Sequence, residues 1–516
     1  MLGRYIAQRL RRSPLLRSRQ APRRQEPNTD PSVFIEENFS KHTLFVLDVG
    51  RRAVKFSLIG LCVLGSTTAA VYEGLHLYVE KKELAPETDD EVKRWEWDLE
   101  AEKWSGDPAK GGTDPRLGFK GRHTVRGAWI ALNWGVGYNT AVVATDTKGG
   151  EGLTGPGGLK VIDAQLQRAE DFLQSAIRIA ENRSVDSQTM TQLVLRHANI
   201  LERLGKDFLP QSKTEFERAW TGLSGKGIEA ARVAAKLGDV HSRLDQPGDA
   251  LVWWSKAIGM ARGSTPPEPI ESLPASLDAA PISPSAQRLL SSTLVSLSVF
   301  YAQSGQLKQA QAVEESALNM LRSIPPPTSL ASTTPPQALH ALFLLQRSSV
   351  LSIHLAEVLY AQKKPLVTSI QWLTSAADSS ERVACALTGF PPPSLQRSQC
   401  DSTAATSVPT VSAPPSQAPL PRYLASRSMN KVAHGLLRDA RRTSAEAWNL
   451  LGILYETEGK NPAVALQCYE RAVDWAGTCS TDSDTTKQAA EGILSADWDV
   501  YWGNYMRLKH ALDTSK

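Results

Sequence analysis

Two glycine-rich stretches and two histidines are the residues of this sequence whose types suggest chemistry. Residues 222–227 read GLSGKG, and residues 149–158 are rich in glycine, as phosphate-binding loops are. Neither stretch ends in the Gly-Lys-Ser/Thr that a phosphate loop uses for nucleotide and Mg²⁺, so we interpret the second one as a linker. His241 and His354 lie in predicted helices, and the sequence contains no GxSxG or HExxH motif. We therefore predict a protein that is not an enzyme and needs no cofactor or metal.

The five cysteines do not form a recognisable metal or redox motif. They stand at 62, 385, 400, 468 and 479, with no CxxC and no His/Cys cluster at zinc spacing. Cys385 and Cys400 could pair in an oxidising compartment, but their spacing does not decide whether they do. Cys468 falls inside a helical repeat, where a small buried hydrophobic residue is the simplest interpretation.

The charge of the chain is unevenly distributed and argues against nucleic-acid binding. Residues 1–52 contain 11 Lys/Arg and 5 Asp/Glu, whereas the formal net charge of the whole chain is only +4. The remaining 464 residues therefore sum to −2. A nucleic-acid-binding protein would show a basic folded domain instead.

The stretch 447–472 carries the strongest structural pattern. Trp448, Leu451, Gly452 and Tyr455 recur at helical spacing, and a second set with Ala465 at its start follows after a Gly-Lys-Asn-Pro turn. Small residues at fixed positions let two helices approach, and large residues fill the remaining gaps. This is the tetratricopeptide repeat (TPR) pattern, which needs neighbouring repeats to bury its apolar faces.

Similar patterns recur from residue 160 to the C-terminus and predict an all-α TPR-type solenoid of about six helical pairs. The residues that carry the signature are Leu237, Gly238, Ala250, Trp254, Ala257, Leu297, Tyr301, Ala310, Ala317, Trp448, Leu451, Gly452, Tyr455, Ala465, Tyr469 and Ala472. Pro/Ser-rich stretches at 263–285, 325–336 and 390–421 interrupt the repeats, and their composition predicts disordered loops. An aromatic helix from Lys487 onwards is predicted to cap the array.

The N-terminal region predicts a mitochondrial address followed by a membrane anchor. The first 25 residues contain eight Arg and no Lys or acidic residue, which is typical of a transit peptide. A basic tail that binds acidic lipid or RNA is the alternative. Residues 56–72 are uncharged, with basic residues before them and glutamates after them. This asymmetry predicts a single transmembrane helix with its basic end inside.

The predicted organisation has four parts. Residues 1–52 form the presequence and a matrix segment, and residues 53–79 the transmembrane helix. Residues 80–159 form a Trp-rich collar and linker, and residues 160–516 form the repeats. In the collar, residues 91–104 are predicted to be a charged helix with an aromatic edge. We expect the collar to fold back as the N-terminal cap of the repeats, and a docking surface for a membrane partner is the alternative.

The order of these parts resembles the TPR-containing adaptor subunits of fungal mitochondrial i-AAA protease complexes. The resemblance covers most of residues 50–510 and rests on Trp95, Trp97, Trp129 and Trp134 in the collar, on the repeats around Gly238 and Gly452, and on the aromatic residues of the last helix. It implies an inner-membrane protein with its N-terminus in the matrix and its repeats in the intermembrane space. Such a protein binds unfolded or misassembled polypeptides and presents them to the protease subunits without cutting them.

Two other functions fit the same parts. One is an assembly or quality-control factor for a respiratory-chain complex. The other is an import receptor of the outer membrane, which would keep its N-terminus uncleaved. In each case the repeats would bind extended polypeptide along their concave surface.

Overall fold

The computed structural model describes residues 31–104, 111–135, 142–145, 159–223, 227–263, 280–330, 332–390, 418–477 and 487–514. The chain divides into two units, Met1–Gly74 and Leu75–Lys516. The predicted presequence, the glycine-rich stretch 149–158 and Lys226 lie outside the described residues.

The described part of the first unit is one helix. Helix α1 runs from Pro31 to Tyr78, so it begins earlier than the predicted membrane helix. The segment Thr43–Glu83 is long and apolar enough to span a membrane, and the side chains of its apolar stretch are exposed. A second helix, Pro335–Ala361, passes the same test of length and composition but is mostly buried inside the protein. It is therefore a core helix of the second unit.

The described part of the second unit consists mainly of α-helices. After a π-helical turn at Val79–Glu83, the described helices are α2 Asp90–Arg94, α3 Gly118–Trp134, α4 Ala164–Asn182, α5 Ser187–Leu204, α6 Leu209–Gly222, α7 Gly227–Arg243, α8 Pro247–Arg262, α9 Pro284–Gln303, α10 Leu307–Ser323, α11 Pro335–Ala361, α12 Leu366–Thr388, α13 Pro421–Leu424, α14 Arg427–Thr457, α15 Pro462–Ala476 and α16 Lys487–Thr514. Short 3₁₀ turns lie at Pro115–Leu117 and Lys206–Phe208. Two antiparallel strands, β1 Val142–Thr145 and β2 Leu159–Ile162, pair between α3 and α4.

The long helices pack as six successive pairs: α3 with α4, α5 with α6, α7 with α8, α9 with α10, α11 with α12, and α14 with α15. Helix α16 packs on α15 at the end of the array, as predicted for the last helix. The predicted fold class, an all-α TPR-type solenoid preceded by a helix able to span a membrane, is thereby confirmed. Strands β1 and β2 are a local exception among the described residues.

The signature residues lie where two helices of a pair meet. Gly238 on α7 faces the indole of Trp254 on α8, and a Cβ at Gly238 would stand 2.5 Å from that ring. Gly452 on α14 faces Tyr469 on α15 at the same distance. The other signature residues are buried in the same way, except that Tyr455 is half-buried. Glycine is therefore required at both positions by the close approach of a large ring.

Several boundaries differ from the predicted ones. The array begins at α3, inside the predicted collar, because Val125, Ala128 and Trp129 form a buried face against α4. Helix α11 begins at Pro335, so the end of the predicted loop 325–336 is helical. Helix α9 likewise begins at Pro284, and its N-cap Ser283 accepts a hydrogen bond from a backbone N–H.

Within the predicted loops, residues 264–279, 331 and 391–417 lie outside the described residues. Cys385 is a buried free thiol, and Cys400 lies outside the described residues.

Candidate polypeptide-binding face

The first helices α5, α7, α9, α11 and α14 all contact one segment of the chain, and we call the surface that they present to it the first-helix face. We consider this face as the candidate for the polypeptide-binding surface that was predicted for the repeats. A segment of the chain itself, Leu84–Trp104, lies against this face, and we call it the crossing segment. It contacts the first helices of five pairs, namely α5, α7, α9, α11 and α14.

The crossing segment is not the charged helix that its sequence predicts. Only Asp90–Arg94 is helical, and Glu96 has a left-handed backbone conformation with φ 55°. Such a conformation is strained for a non-glycine residue and persists only where the surroundings hold it. The prediction fails because the carboxylates of Glu96, Glu100 and Glu102 bind partners on distant helices instead of residues four positions along the same helix.

Trp97 anchors the segment in the core. Its side chain is fully buried, and its indole Nε1 donates a hydrogen bond of 2.9 Å to the carbonyl of Pro336 on α11. The ring meets Phe343 edge to face, and the guanidinium of Arg288 lies 3.8 Å from the ring centroid. Such a buried ring with a satisfied N–H and a cation on its face is a strong local anchor.

Arg288 on α9 holds the backbone of the crossing segment. It is 2 % exposed and donates to the carbonyls of Trp95 and Glu96 at 3.1 and 2.9 Å. Its Nε also donates to the carboxylate of Glu100 at 3.0 Å. His340 on α11 lies 3.1 Å from Arg288 through its Nδ1. Burial, reinforced by the Arg288 charge, lowers the pKa of His340 to about 3, so the imidazole is neutral and can accept this hydrogen bond.

Glu96 binds the N-terminus of α9. Its carboxylate accepts hydrogen bonds from the hydroxyl of Ser283 and from the backbone N–H of Ser285, the latter at 2.9 Å. Burial alone would raise the pKa of Glu96, but these hydrogen bonds outweigh it and lower the pKa. A carboxylate at a helix N-terminus satisfies free N–H groups and complements the helix dipole.

Glu102 links two distant parts of the array. Its carboxylate lies 2.6 Å from Lys431 on α14 and 3.8 Å from Arg196 on α5. Burial by itself would raise the pKa of Glu102, but the charges of Arg196 and Lys431 outweigh it and the pKa is lowered. One acidic side chain of the crossing segment therefore bridges the second and the sixth pair.

Other ion pairs continue along the segment. Arg232 on α7 donates to the carbonyl of Leu99 and, at 2.6 Å, to the carboxylate of Glu100. Lys103 pairs with Glu229 on α7. At the other end, Glu87 accepts hydrogen bonds from Ser426 and Ser428 at the start of α14. The segment carries eight acidic and three basic residues, and the first-helix face supplies the complementary cations and hydroxyls.

A cavity of about 390 Å³ remains beside the end of the crossing segment. Residues 99–103 form one wall, and α5, α7 and α9 form the others with polar side chains that include Asn199, Lys236 and Ser292. Burial raises the pKa of Asp239 in the same wall. Apolar side chains such as Leu289 and Phe343 line the cavity as well. Among the described residues no group of three or more His, Cys, Asp or Glu side chains is placed to hold a metal ion.

The two histidines first considered for chemistry are packed inside the array. His241 is buried, and its Nδ1 lies 2.8 Å from Oε1 of Gln246. Burial lowers the pKa of His354 to about 4, and its Nδ1 lies 3.4 Å from the hydroxyl of Ser298. Gly222 is the last residue of α6. The structure brings none of these residues to the first-helix face as a group.

The cations of the first-helix face were not predicted from the sequence. Arg196, Arg232, Arg288 and Lys431 stand on four separate helices, and the TPR signature contains only small and large apolar positions. The excess of acidic residues in the crossing segment was the available signal, because such a segment needs complementary charges wherever it is buried.

No protein-family model and no curated protein matches this chain. Among solved structures, the crystal structure of BtubC (BKLC) from P. vanneervenii is 16% identical, covers 48% of this chain and 82% of that chain, and has a TM-score of 0.31. A circular tandem repeat protein with novel repeat topology and enhanced subunit contact surfaces is 13% identical, covers 68% of this chain and 74% of that chain, and has a TM-score of 0.21. These TM-scores are too low to support a fold assignment, so the fold class rests on the helix packing described above.

Proposed function

We propose that this chain is a non-catalytic, membrane-anchored adaptor that binds extended polypeptide on its first-helix face. The observation that carries the proposal is the crossing segment, an acidic stretch of one short helix and several turns that is held by contacts with five first helices. Arg288 binds backbone carbonyls of the segment, a contact that any polypeptide can make. A face with these contacts suits unfolded chains of varied sequence, with acidic and aromatic residues favoured.

The proposed setting is the mitochondrial inner membrane. The apolar helix Thr43–Glu83 supports a membrane anchor. The Arg-rich, acid-free N-terminus supports a mitochondrial address, and the charge asymmetry around the anchor supports an N-terminus in the matrix. The solenoid would then lie in the intermembrane space and deliver unfolded or misassembled membrane and intermembrane-space proteins to the subunits of the i-AAA protease.

The crossing segment restricts how such a client would bind. A client enters either by occupying the cavity beside residues 99–103 or by displacing that end of the segment. The Trp97 end is anchored by a fully buried ring, whereas the Glu100–Lys103 end is held through ion pairs whose side chains are 22–27% exposed. We therefore expect clients to bind at the cavity end.

Site-specific photo-crosslinking in mitochondria tests this proposal. A photoreactive residue at Ser292, in the cavity wall, is compared with one at Val252, which is 52% exposed on the second helix α8. We expect unfolded membrane or intermembrane-space proteins to crosslink at Ser292 and not at Val252, and to accumulate when the protease is inactivated. Equal crosslinking at both positions would refute binding on the first-helix face.

The co-purifying proteins decide the pathway. Protease subunits recovered with the full-length chain in mild detergent support delivery to the i-AAA protease. Respiratory subunits in their place would assign the chain to assembly or quality control of that complex. An uncleaved N-terminus together with precursor proteins would assign it to import at the outer membrane.

A further inference from the structure

We propose that a surface of the second unit lies in the headgroup region of the same membrane that the anchor helix enters. This juxtamembrane surface consists of Leu77, Tyr78, Phe119 and Trp134. The inference concerns the lipid bilayer as a partner and holds whichever polypeptides the first-helix face binds.

The four side chains are large, apolar and exposed. Phe119 is 72% exposed, Leu77 54%, Tyr78 49% and Trp134 43%. Phe119 and Trp134 stand near the two ends of α3, whose other side is buried against α4. Leu77 and Tyr78 lie at the Trp134 end of α3, where the rings of Tyr78 and Trp134 are neighbours, and exposed apolar residues of this size that lie together mark an interaction surface.

Contacts within the second unit tie both aromatic residues of α3 to residues 76–78. The rings of Tyr78 and Trp134 lie 6.1 Å apart. At the other end of α3, the ring of Phe119 lies 3.9 Å from that of His123, which lies 4.6 Å from that of His76. Phe119 and Trp134 are therefore close to the point at which the chain leaves its apolar stretch.

The length of the chain between Tyr72 and Tyr78 limits how far residues 76–78 can lie from the bilayer core. Tyr72 is the last uncharged residue before Glu73, and Tyr78 follows six residues after Tyr72. Six residues span about 9 Å as a helix and at most about 21 Å when extended. The polar region on each side of a bilayer core is about 5–7 Å thick. Residues 76–78, and the rings in contact with them, consequently lie at or just outside this region.

The chemistry of the surface fits lipid headgroups. Tyr and Trp favour the membrane–water interface, because they combine an apolar ring with a polar group. Exposed lysines flank the surface, with Lys120 next to Phe119 and with Lys81 and Lys82 shortly after Tyr78. Lysines close to a membrane are attracted to anionic headgroups. A soluble protein partner would need neither this position nor these lysines.

Hydroxyl-radical footprinting of the full-length chain in lipid nanodiscs tests the inference. The nanodiscs contain phosphatidylcholine and phosphatidylglycerol and no other protein. Trp134 and Trp502 are both 43% exposed in the protein, so Trp502 on α16 is a matched control. We expect Trp134 to be oxidised several-fold less than Trp502. Equal oxidation of the two residues would overturn the proposal.

Brominated lipids distinguish a lipid contact from a contact with a second copy of the chain. Bromine quenches only those tryptophans that lie close to the acyl chains or the adjoining headgroup region. We expect Trp134→Phe to reduce the fraction of tryptophan fluorescence that brominated lipid quenches, and Trp502→Phe to leave that fraction unchanged. Protection of Trp134 from radicals without quenching would mean that protein covers it, which would overturn the inference.

Discussion

A buried carboxylate, Glu381 on α12, holds the last helical pairs together, and its removal provides the sharpest test of the structure. Glu381 is 0% exposed, and its Oε1 accepts hydrogen bonds from the indole N–H groups of Trp448 and Trp475 at 2.7 and 2.8 Å. Arg471 on α15 donates to both oxygens, with its Nε 2.7 Å from Oε1. One carboxylate thus joins α12, α14 and α15.

The magnitude of the expected loss follows from what Glu381→Ala leaves behind. The guanidinium of Arg471, whose side chain is 7% exposed, loses the carboxylate with which it forms its ion pair. Breaking a buried ion pair by removing one partner costs about 3–5 kcal/mol. Two indole N–H groups also lose their acceptor, at about 1–3 kcal/mol each where water cannot replace it. Since these terms overlap, we expect about 5 kcal/mol for unfolding of the last two pairs.

Urea unfolding of the full-length chain, followed by tryptophan fluorescence and hydrogen exchange, measures this loss. Trp448 and Trp475 report on the network directly, and exchange in α14 and α15 shows which part of the array opens. Asp378→Ala is the matched control, because Asp378 is exposed one turn earlier on the same helix. A loss below about 0.5 kcal/mol, the range of ordinary surface substitutions, would refute the network.

A double-mutant cycle separates the ion pair from the packing. We expect Glu381→Leu and Arg471→Met to be individually destabilising, and the double variant to be more stable than the sum of the two losses predicts. Replacing both members of a buried pair by apolar residues is often neutral, whereas replacing one is not. Additive losses would mean that Glu381 and Arg471 do not depend on each other.

Three further predictions concern other parts of the array. Burial would lower the pKa of His197, but hydrogen bonds and ion pairs with two glutamates outweigh burial and raise the pKa to about 9. The free energy that protonated His197 contributes to folding is therefore fully present below the pKa of about 6.5 in the unfolded chain, and it is lost as the pH rises through about 9. The melting temperature should therefore fall between pH 7 and pH 10 by more in the wild type than in His197→Gln, and parallel curves would contradict this. Glu102→Gln should increase hydrogen exchange in residues 95–103 several-fold, because Lys431 and Arg196 lose their shared partner, whereas unchanged exchange would show that the bridge does not hold the segment. Gly452→Leu should lower the free energy of unfolding by about 1–3 kcal/mol or more, because the larger side chain overpacks the contact with Tyr469. Gly435→Ala on the same helix, with open space around it, should be neutral or stabilising. Equal unfolding curves for these two variants would contradict the packing.

The course of the crossing segment changes how this solenoid is interpreted. A repeat array with an open first-helix face would be available to clients along its whole length. In this chain the face is already in contact with a Trp-anchored stretch of the same protein, from α5 to α14. Weaker contacts at Glu100–Lys103 should therefore open access to the cavity. Because Glu102→Gln weakens these contacts, it should increase crosslinking at Ser292.

The sequence by itself determined the helical pairs and a helix able to span a membrane. Gly238 with Trp254 and Gly452 with Tyr469 could be recognised because a small and a large residue at fixed spacing specify a local contact between consecutive helices. The apolar stretch before Glu73 could be recognised because length and composition suffice to predict a helix able to span a membrane. The pairing of α3 with α4 was not predicted, because the Trp-rich composition of residues 80–159 indicated only a collar that caps the repeats.

Only the tertiary structure decided what the charged residues do. Glu102 meets Lys431, which is 329 residues away, and Arg471 meets Glu381, which is 90 residues away. The spacing of charged residues along the sequence does not identify their partners, because any acidic residue can pair with any cation that folding brings close. The sequence of residues 91–104 favoured a solvated helix for this reason. In the structure, carboxylates of this segment bind cations on the first helices of distant pairs. The segment therefore crosses the array and does not form a solvated helix.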